Sequence, residues 1–151
     1  MDDELARLLA ERACERLIVR YCQLVDFGHA AQIADLFCED GEWRGVDLHL
    51  QGRDQIRAWF SEREQLTRRV SRHLCTNVGV ELLSDDEAQS LCYMVNYRHD
   101  SRDGDPQLPV TLEIPKFVGE LHDRFRRTAD GWRFQSRTVE LSFVRRRSPA
   151  A

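Results

Sequence analysis

Arg72-His73-Leu74-Cys75-Thr76-Asn77-Val78-Gly79-Val80-Glu81-Leu82-Leu83 is followed, across the turn residues Ser84-Asp85-Asp86, by Ala88-Gln89-Ser90-Leu91-Cys92-Tyr93-Met94-Val95-Asn96-Tyr97-Arg98-His99. Both runs are proline-free and rich in strand formers, and their side chains alternate with a period of two, so they read as a hairpin of long strands. Residues 116–127 and 132–143 repeat the pattern around Ala129-Asp130-Gly131. Upstream the period differs. Leu5, Leu8, Leu9, Leu17, Ile18, Tyr21, Cys22 and Val25 recur every three or four residues after Asp2-Asp3, which predicts one long amphipathic helix ending near Gly28. Residues 30–37, with Ile33, Leu36 and Phe37 apolar, predict a second helix. Glu39-Asp40-Gly41 reads as a turn, and Glu42-Trp43-Arg44 begins a short strand. Gly52-Arg53-Asp54 opens a third helix that buries Ile56, Trp59 and Phe60.

Helices followed by a mostly antiparallel sheet make the class α+β, with three helices on one face of a curved sheet. A chain of 151 residues, 42% of them hydrophobic, has the material for one domain with a real core. The stretch 100–115 holds three of the four prolines and reads as a long loop or lid. By alternation, Ser90, Cys92, Met94, Asn96 and Arg98 share one face of their strand, and Leu91, Tyr93, Val95 and Tyr97 the other.

Charge and composition exclude several functions. A net charge of -4 and a pI near 5.7 do not fit general nucleic-acid binding, so Arg145-Arg146-Arg147 reads as a solvated tail. Lys116 is the only lysine among 22 basic residues, which bears on codon usage and not on activity. Cys14, Cys22, Cys38, Cys75 and Cys92 form no CxxC pair and read as reduced, mostly buried thiols of a cytoplasmic protein. No apolar run approaches the roughly 20 residues of a membrane span, and the acidic start is the reverse of a signal peptide. His29, His49, His99 and His122 show no metal-ligand spacing, and the eight glycines form no phosphate-cradling loop. Neither metal nor organic cofactor is expected.

Two residues carry the chemistry. Asp26 falls where helix-end carbonyls disfavour a carboxylate by a few tenths to about 1 kcal/mol, a placement that calls for compensation. His73 lies on the first long strand. Taken singly, each is more often structural, the aspartate as a surface or capping residue and the histidine as a satisfied imidazole. As a pair they suggest acid-base work, because imidazole titrates near pH 6.5 and a carboxylate fixes which ring nitrogen keeps its proton.

The element order, together with Tyr21, Asp26, Phe37-Cys38-Glu39-Asp40-Gly41-Glu42-Trp43, Gly52-Arg53, Arg72-His73 and Asp130-Gly131-Trp132-Arg133-Phe134, resembles the SnoaL-like branch of the nuclear transport factor 2-like superfamily. The resemblance covers nearly the whole chain and is greatest to the scytalone dehydratase, bile-acid dehydratase and hexachlorocyclohexane dehydrochlorinase group. It implies a cone-shaped, cystatin-like α+β barrel around an apolar pocket. It also implies a cofactor-free Asp-His dyad on Asp26 and His73, with a pocket tyrosine on Tyr21. The dehydrochlorinase's pocket tryptophan and arginine fall on Trp43 and Arg137, and Trp59 is a further candidate for the pocket wall. Cys92, Asn96 and Leu121 replace residues that act in the relatives, so the dyad is kept while the substrate is not.

The expected function is a lyase or isomerase acting on a small, largely apolar cyclic or aromatic molecule, with His73 as base, Asp26 as its orienter and Tyr21 as hydrogen-bond donor. A non-catalytic binding or assembly module, a polyketide cyclase and an epoxide hydrolase are the alternatives. The Leu91, Tyr93, Val95, Tyr97 face would then pack on other copies, and the resemblance implies a trimer in preference to a dimer.

Overall fold

The computed structural model describes residues 3–146. Helix α1 (Asp3–Asp26) buries one side, from Ala10 and Cys14 through Ile18 to Tyr21, Cys22, Leu24 and Val25. The apolar series at its start, Leu5, Leu8 and Leu9, is exposed instead. Gly28, at φ 80, ends the helix in the left-handed region, and the His29 N–H returns to the Leu24 carbonyl at 2.9 Å.

The expected second helix is a 3₁₀ segment, Ala30–Leu36. Its apolar residues Ala30, Ile33 and Leu36 are three apart, which matches three residues per turn and not 3.6. Strand β1 (Phe37–Gly45) then contains Glu39-Asp40-Gly41, which sequence reads as a turn. These residues form a bulge: the register jumps from Phe37 opposite Phe134 to Glu42 opposite Ser136. A side chain on Gly41 would lie 2.9 Å from the Cys38 carbonyl, so the bulge closes only around glycine. Strand β2 (Leu48–Gln51), unforeseen in sequence, returns antiparallel to β1 past Asp47 at φ 57. Its four residues are too few to show a period.

Helix α2 (Arg53–Glu64) buries Ile56 and Phe60, with Trp59 partly buried. The long strands follow as β3 (Arg69–Leu82), β4 (Glu87–Asp100), β5 (Phe117–Thr128) and β6 (Gly131–Val144). They form one six-stranded sheet in the order β2-β1-β6-β5-β4-β3, antiparallel except where β1 runs parallel to β6. Alternation on β4 is as read: Ser90, Cys92, Met94 and Asn96 are buried, whereas Leu91 and Tyr93 are exposed. The buried face of the curved sheet receives α1 along β3 and β6, and α2 packs on the 3₁₀ segment, β1 and β2. The α+β class and the helix-covered curved sheet are therefore as expected.

Residues 101–116 are irregular. None of them lines the main cavity. Val110, Thr111, Leu112 and Glu113 border a groove with Val70, Arg72, Tyr97 and His99, and Ser71 and Arg98 line both this groove and the main cavity. Arg145 is no solvated tail residue, since its guanidinium pairs with Glu113 and donates to the Ile114 carbonyl at 3.1 Å. Arg146 is exposed, as expected of such a tail, and Arg147 lies outside the described residues. No described helix is long and apolar enough to cross a membrane.

Candidate active site

Asp26, at the last turn of α1, meets His73 on β3. Its Oδ1 accepts from the imidazole Nδ1 at 2.6 Å and from the Ser71 hydroxyl at 3.0 Å, and its Oδ2 accepts from the His73 backbone N–H at 2.8 Å. Hydrogen bonds to a charged acceptor contribute about 1.5–3 kcal/mol each, enough to offset the unfavourable helix end. The Asp26 side chain is only 5% exposed, so this compensation is obligatory.

The other imidazole nitrogen faces Asn96, whose amide nitrogen is 3.0 Å from Nε2. An amide N–H donating there requires a lone pair on Nε2, and Nδ1 then carries the proton shared with Asp26. This tautomer leaves the Nε2 lone pair on the cavity side of the ring. Alternation puts Ser71 and His73 on one face of β3, and cross-strand register sets His73 opposite Asn96 and Ser71 opposite Arg98.

His73 and Asn96 open onto a cavity of about 250 Å³ between the sheet and the two α-helices. One end is aromatic. Trp43 and Trp59 stack with ring centroids 5.6 Å apart, and Phe60 meets Trp59 edge-on. Val25, Met94, Phe117, Leu121 and Val139 supply the apolar wall. Tyr21 also borders the cavity, with its hydroxyl accepting from Trp43 Nε1 at 3.0 Å, which leaves its own proton to donate. Burial pushes the Tyr21 pKa well above the phenol range, against the opposing pull of the Arg137 guanidinium. Tyr21 is thus a donor and not a base. The far end holds Arg63, Arg69 and Arg98.

Of the residues singled out in sequence, the structure brings Tyr21, Trp43, Trp59, His73, Asn96 and Leu121 to the cavity wall, with Asp26 behind His73. Arg137 and Cys92 are not on that wall. Arg137 is fully buried and its fork is taken by Asp123, Nε to Oδ1 at 2.8 Å and Nη2 to Oδ2 at 2.7 Å. Its guanidinium lies 4.3 Å from the Tyr21 ring centre and 4.4 Å from that of Phe134, so it supports Tyr21 from below. Burial works against the Arg137 charge, but the Asp123 carboxylate holds its pKa above the ordinary arginine value. Cys92 belongs to a group of thiols beneath the pair. Cys22 Sγ is 3.4 Å from Cys75 Sγ, and hydrogen bonds from Cys22 and Cys92 lower the Cys75 pKa.

Ser71, Arg63 and Arg69 went unforeseen. Ser71 was legible two residues before His73 on the same strand face, and Arg63 one helical turn after Trp59. Arg98 appears in the sequence only as a member of the Asn96 face.

Comparison with known proteins agrees with this architecture. No curated protein matches the sequence. Among solved structures, a protein named for scytalone dehydratase, from Novosphingobium aromaticivorans DSM 12444, superposes with a TM-score of 0.78 at 20% identity over 97% of this chain and 93% of its own. An NTF2-like protein with a cystatin-like fold, from the same species, gives 0.75 at 29% identity over 94% and 92%. The hexachlorocyclohexane dehydrochlorinase LinA-type3 from Novosphingobium barchaimii LL02 gives 0.74 at 14% identity over 95% and 93%. Residues 6–138 match the SnoaL-like domain, and the chain belongs to that family.

Proposed function

We propose that this protein is a cofactor-independent lyase or isomerase that withdraws a proton from a compact cyclic substrate, with His73 as the base. The observation that carries the assignment is the 2.6 Å contact between Asp26 Oδ1 and His73 Nδ1, made where the imidazole borders a largely apolar cavity. In the mechanism, Nε2 takes a proton from a carbon acidified by a neighbouring carbonyl or ring, and Asp26 stabilises the imidazolium that forms. Tyr21 donates a hydrogen bond to the substrate oxygen that gains charge. Loss of a leaving group from the adjacent carbon gives elimination, and return of the proton elsewhere gives isomerisation. Two of the similar structures bear names, dehydratase and dehydrochlorinase, that denote eliminations.

A second reading, a non-catalytic binding module, has one observation in its favour: Asn96 already occupies Nε2. That bond, worth about 1 kcal/mol, must give way to the substrate for catalysis. The two readings part in a screen of cyclic β-hydroxyketones, following the ultraviolet absorbance of the conjugated enone. Turnover in wild type that drops at least about a hundredfold in both His73→Ala and Asp26→Asn supports the enzyme. Turnover that survives both substitutions contradicts it. We further propose that the protein works as a homo-oligomer, trimeric in preference to dimeric, joined through the outer face of the sheet.

A further inference from the structure

Three cations line one end of the cavity with a single carboxylate between them. Arg69 Nε and Arg98 Nε both donate to Asp100, at 2.6 and 2.7 Å, so one aspartate serves two guanidiniums through one nitrogen each. Arg63, brought over from α2, has no carboxylate partner among the described residues; its Nη2 donates to the Ser71 hydroxyl at 3.2 Å. Asp26 stands nearby and its charge favours Arg63, but its oxygens accept from His73 and Ser71 and form no ion pair with a guanidinium, so three cations face two carboxylates. Burial, reinforced by the like charges of Arg69 and Arg98, holds the Arg63 pKa below the usual arginine value. Guanidiniums gathered in a recess with too few anions are a site for one more.

We propose that this end of the cavity is an anion subsite, and that the physiological ligand is a cyclic or aromatic carboxylate whose carboxyl group is held by Arg63 with Arg98 and Arg69. The proposal rests on the catalytic reading of the cavity only for the position of the reacting carbon. Ser71, which accepts from Arg63, and His73 are two residues apart on one strand face, about 6–7 Å along the strand. The carboxylate therefore sits about one ring's width from the carbon that His73 faces, and the ring itself extends toward the Trp43 and Trp59 stack. The sequence places such an anchor on Arg137, but Asp123 takes that guanidinium and these three take its place. A neutral apolar ligand would leave Arg63 desolvated and unpaired, which disfavours it relative to an acid of the same shape.

The test needs no knowledge of the natural substrate. Isothermal titration calorimetry with 2-naphthoate and its neutral counterpart 2-naphthamide compares two probes that differ mainly in charge. The acid is expected to bind wild type at least about tenfold more tightly than the amide, as one charge-assisted hydrogen bond suffices to give. Arg63→Gln should abolish most of that preference, and Arg98→Gln, at a position whose side chain is 30% exposed, should reduce it without threatening the fold. Equal affinity for the two probes, binding of neither, or an acid preference unchanged in both variants overturns the subsite. Because the readout is binding, these results are separable from the His73 assignment, which stands or falls on turnover.

Discussion

At the scale of single residues, two carboxylates with buried side chains have opposite meanings. Asp26 is held by three donors and passes its influence to a ring that reaches the cavity, whereas Asp123 is spent entirely on Arg137 and Ser90. Removing one partner of a buried ion pair strands the other, so Asp123→Asn should lower stability by about 3–5 kcal/mol in urea denaturation. A loss below about 1 kcal/mol would show that the Arg137 charge finds other support. Asp26 and His73 were legible because a carboxylate at a helix end is anomalous and a strand histidine has a definite face. The burial of Arg137 was not. Counting back from the Ala129-Asp130-Gly131 turn pairs Arg127 with Trp132 and Phe125 with Phe134, a register that would put Arg137 opposite His122. The register shift between Arg124 and Phe125 instead sets Arg137 opposite Asp123 and turns it inward. No local residue signal announces that shift.

At the scale of elements, the four long strands and the two α-helices follow from their periods, and the misread segments are the short or irregular ones. The 3₁₀ segment and the β1 bulge carry helix-like and turn-like residues, respectively, into structures decided by what they pack against. The end of β1 also shapes the cavity. A side chain at Gly45 would come within 2.6 Å of Trp43 Cη2, so the absence of one lets the indole lie flat on Trp59. Gly45→Val should displace the Trp43 ring at a cost of about 1–3 kcal/mol, as for other overpacked sites. The near-ultraviolet circular dichroism of the stacked indoles should weaken in that variant, while an unchanged spectrum would mean that Trp43 does not depend on Gly45. The 101–116 loop shows the same limit of sequence from another side: its prolines mark it as irregular, but where it lies depends on distant partners such as Arg145, which donates to the Ile114 carbonyl.

At the scale of the whole molecule, one face of the sheet encloses the cavity and the opposite face is apolar where water would reach it. Leu74, Val95, Val118 and Phe143 are opposite one another across four strands, with Leu74 45% and Phe143 70% exposed. Leu91 and Tyr93 extend this row, at 42% and 46% exposure. Light scattering coupled to size exclusion should give the mass of three chains, reduced to one in Leu91→Glu/Tyr93→Glu; a wild-type monomer would refute the proposed assembly. The central claim is that His73 removes a proton from carbon with the help of Asp26. Its most direct test is deuterium incorporation from D₂O into the α-carbon of a cyclic keto acid, followed by proton NMR at equal enzyme concentrations. Exchange that the wild type accelerates, and that falls at least about a hundredfold in His73→Ala and strongly in Asp26→Asn, is the predicted result. Acceleration of equal size in the wild type and His73→Ala would contradict it.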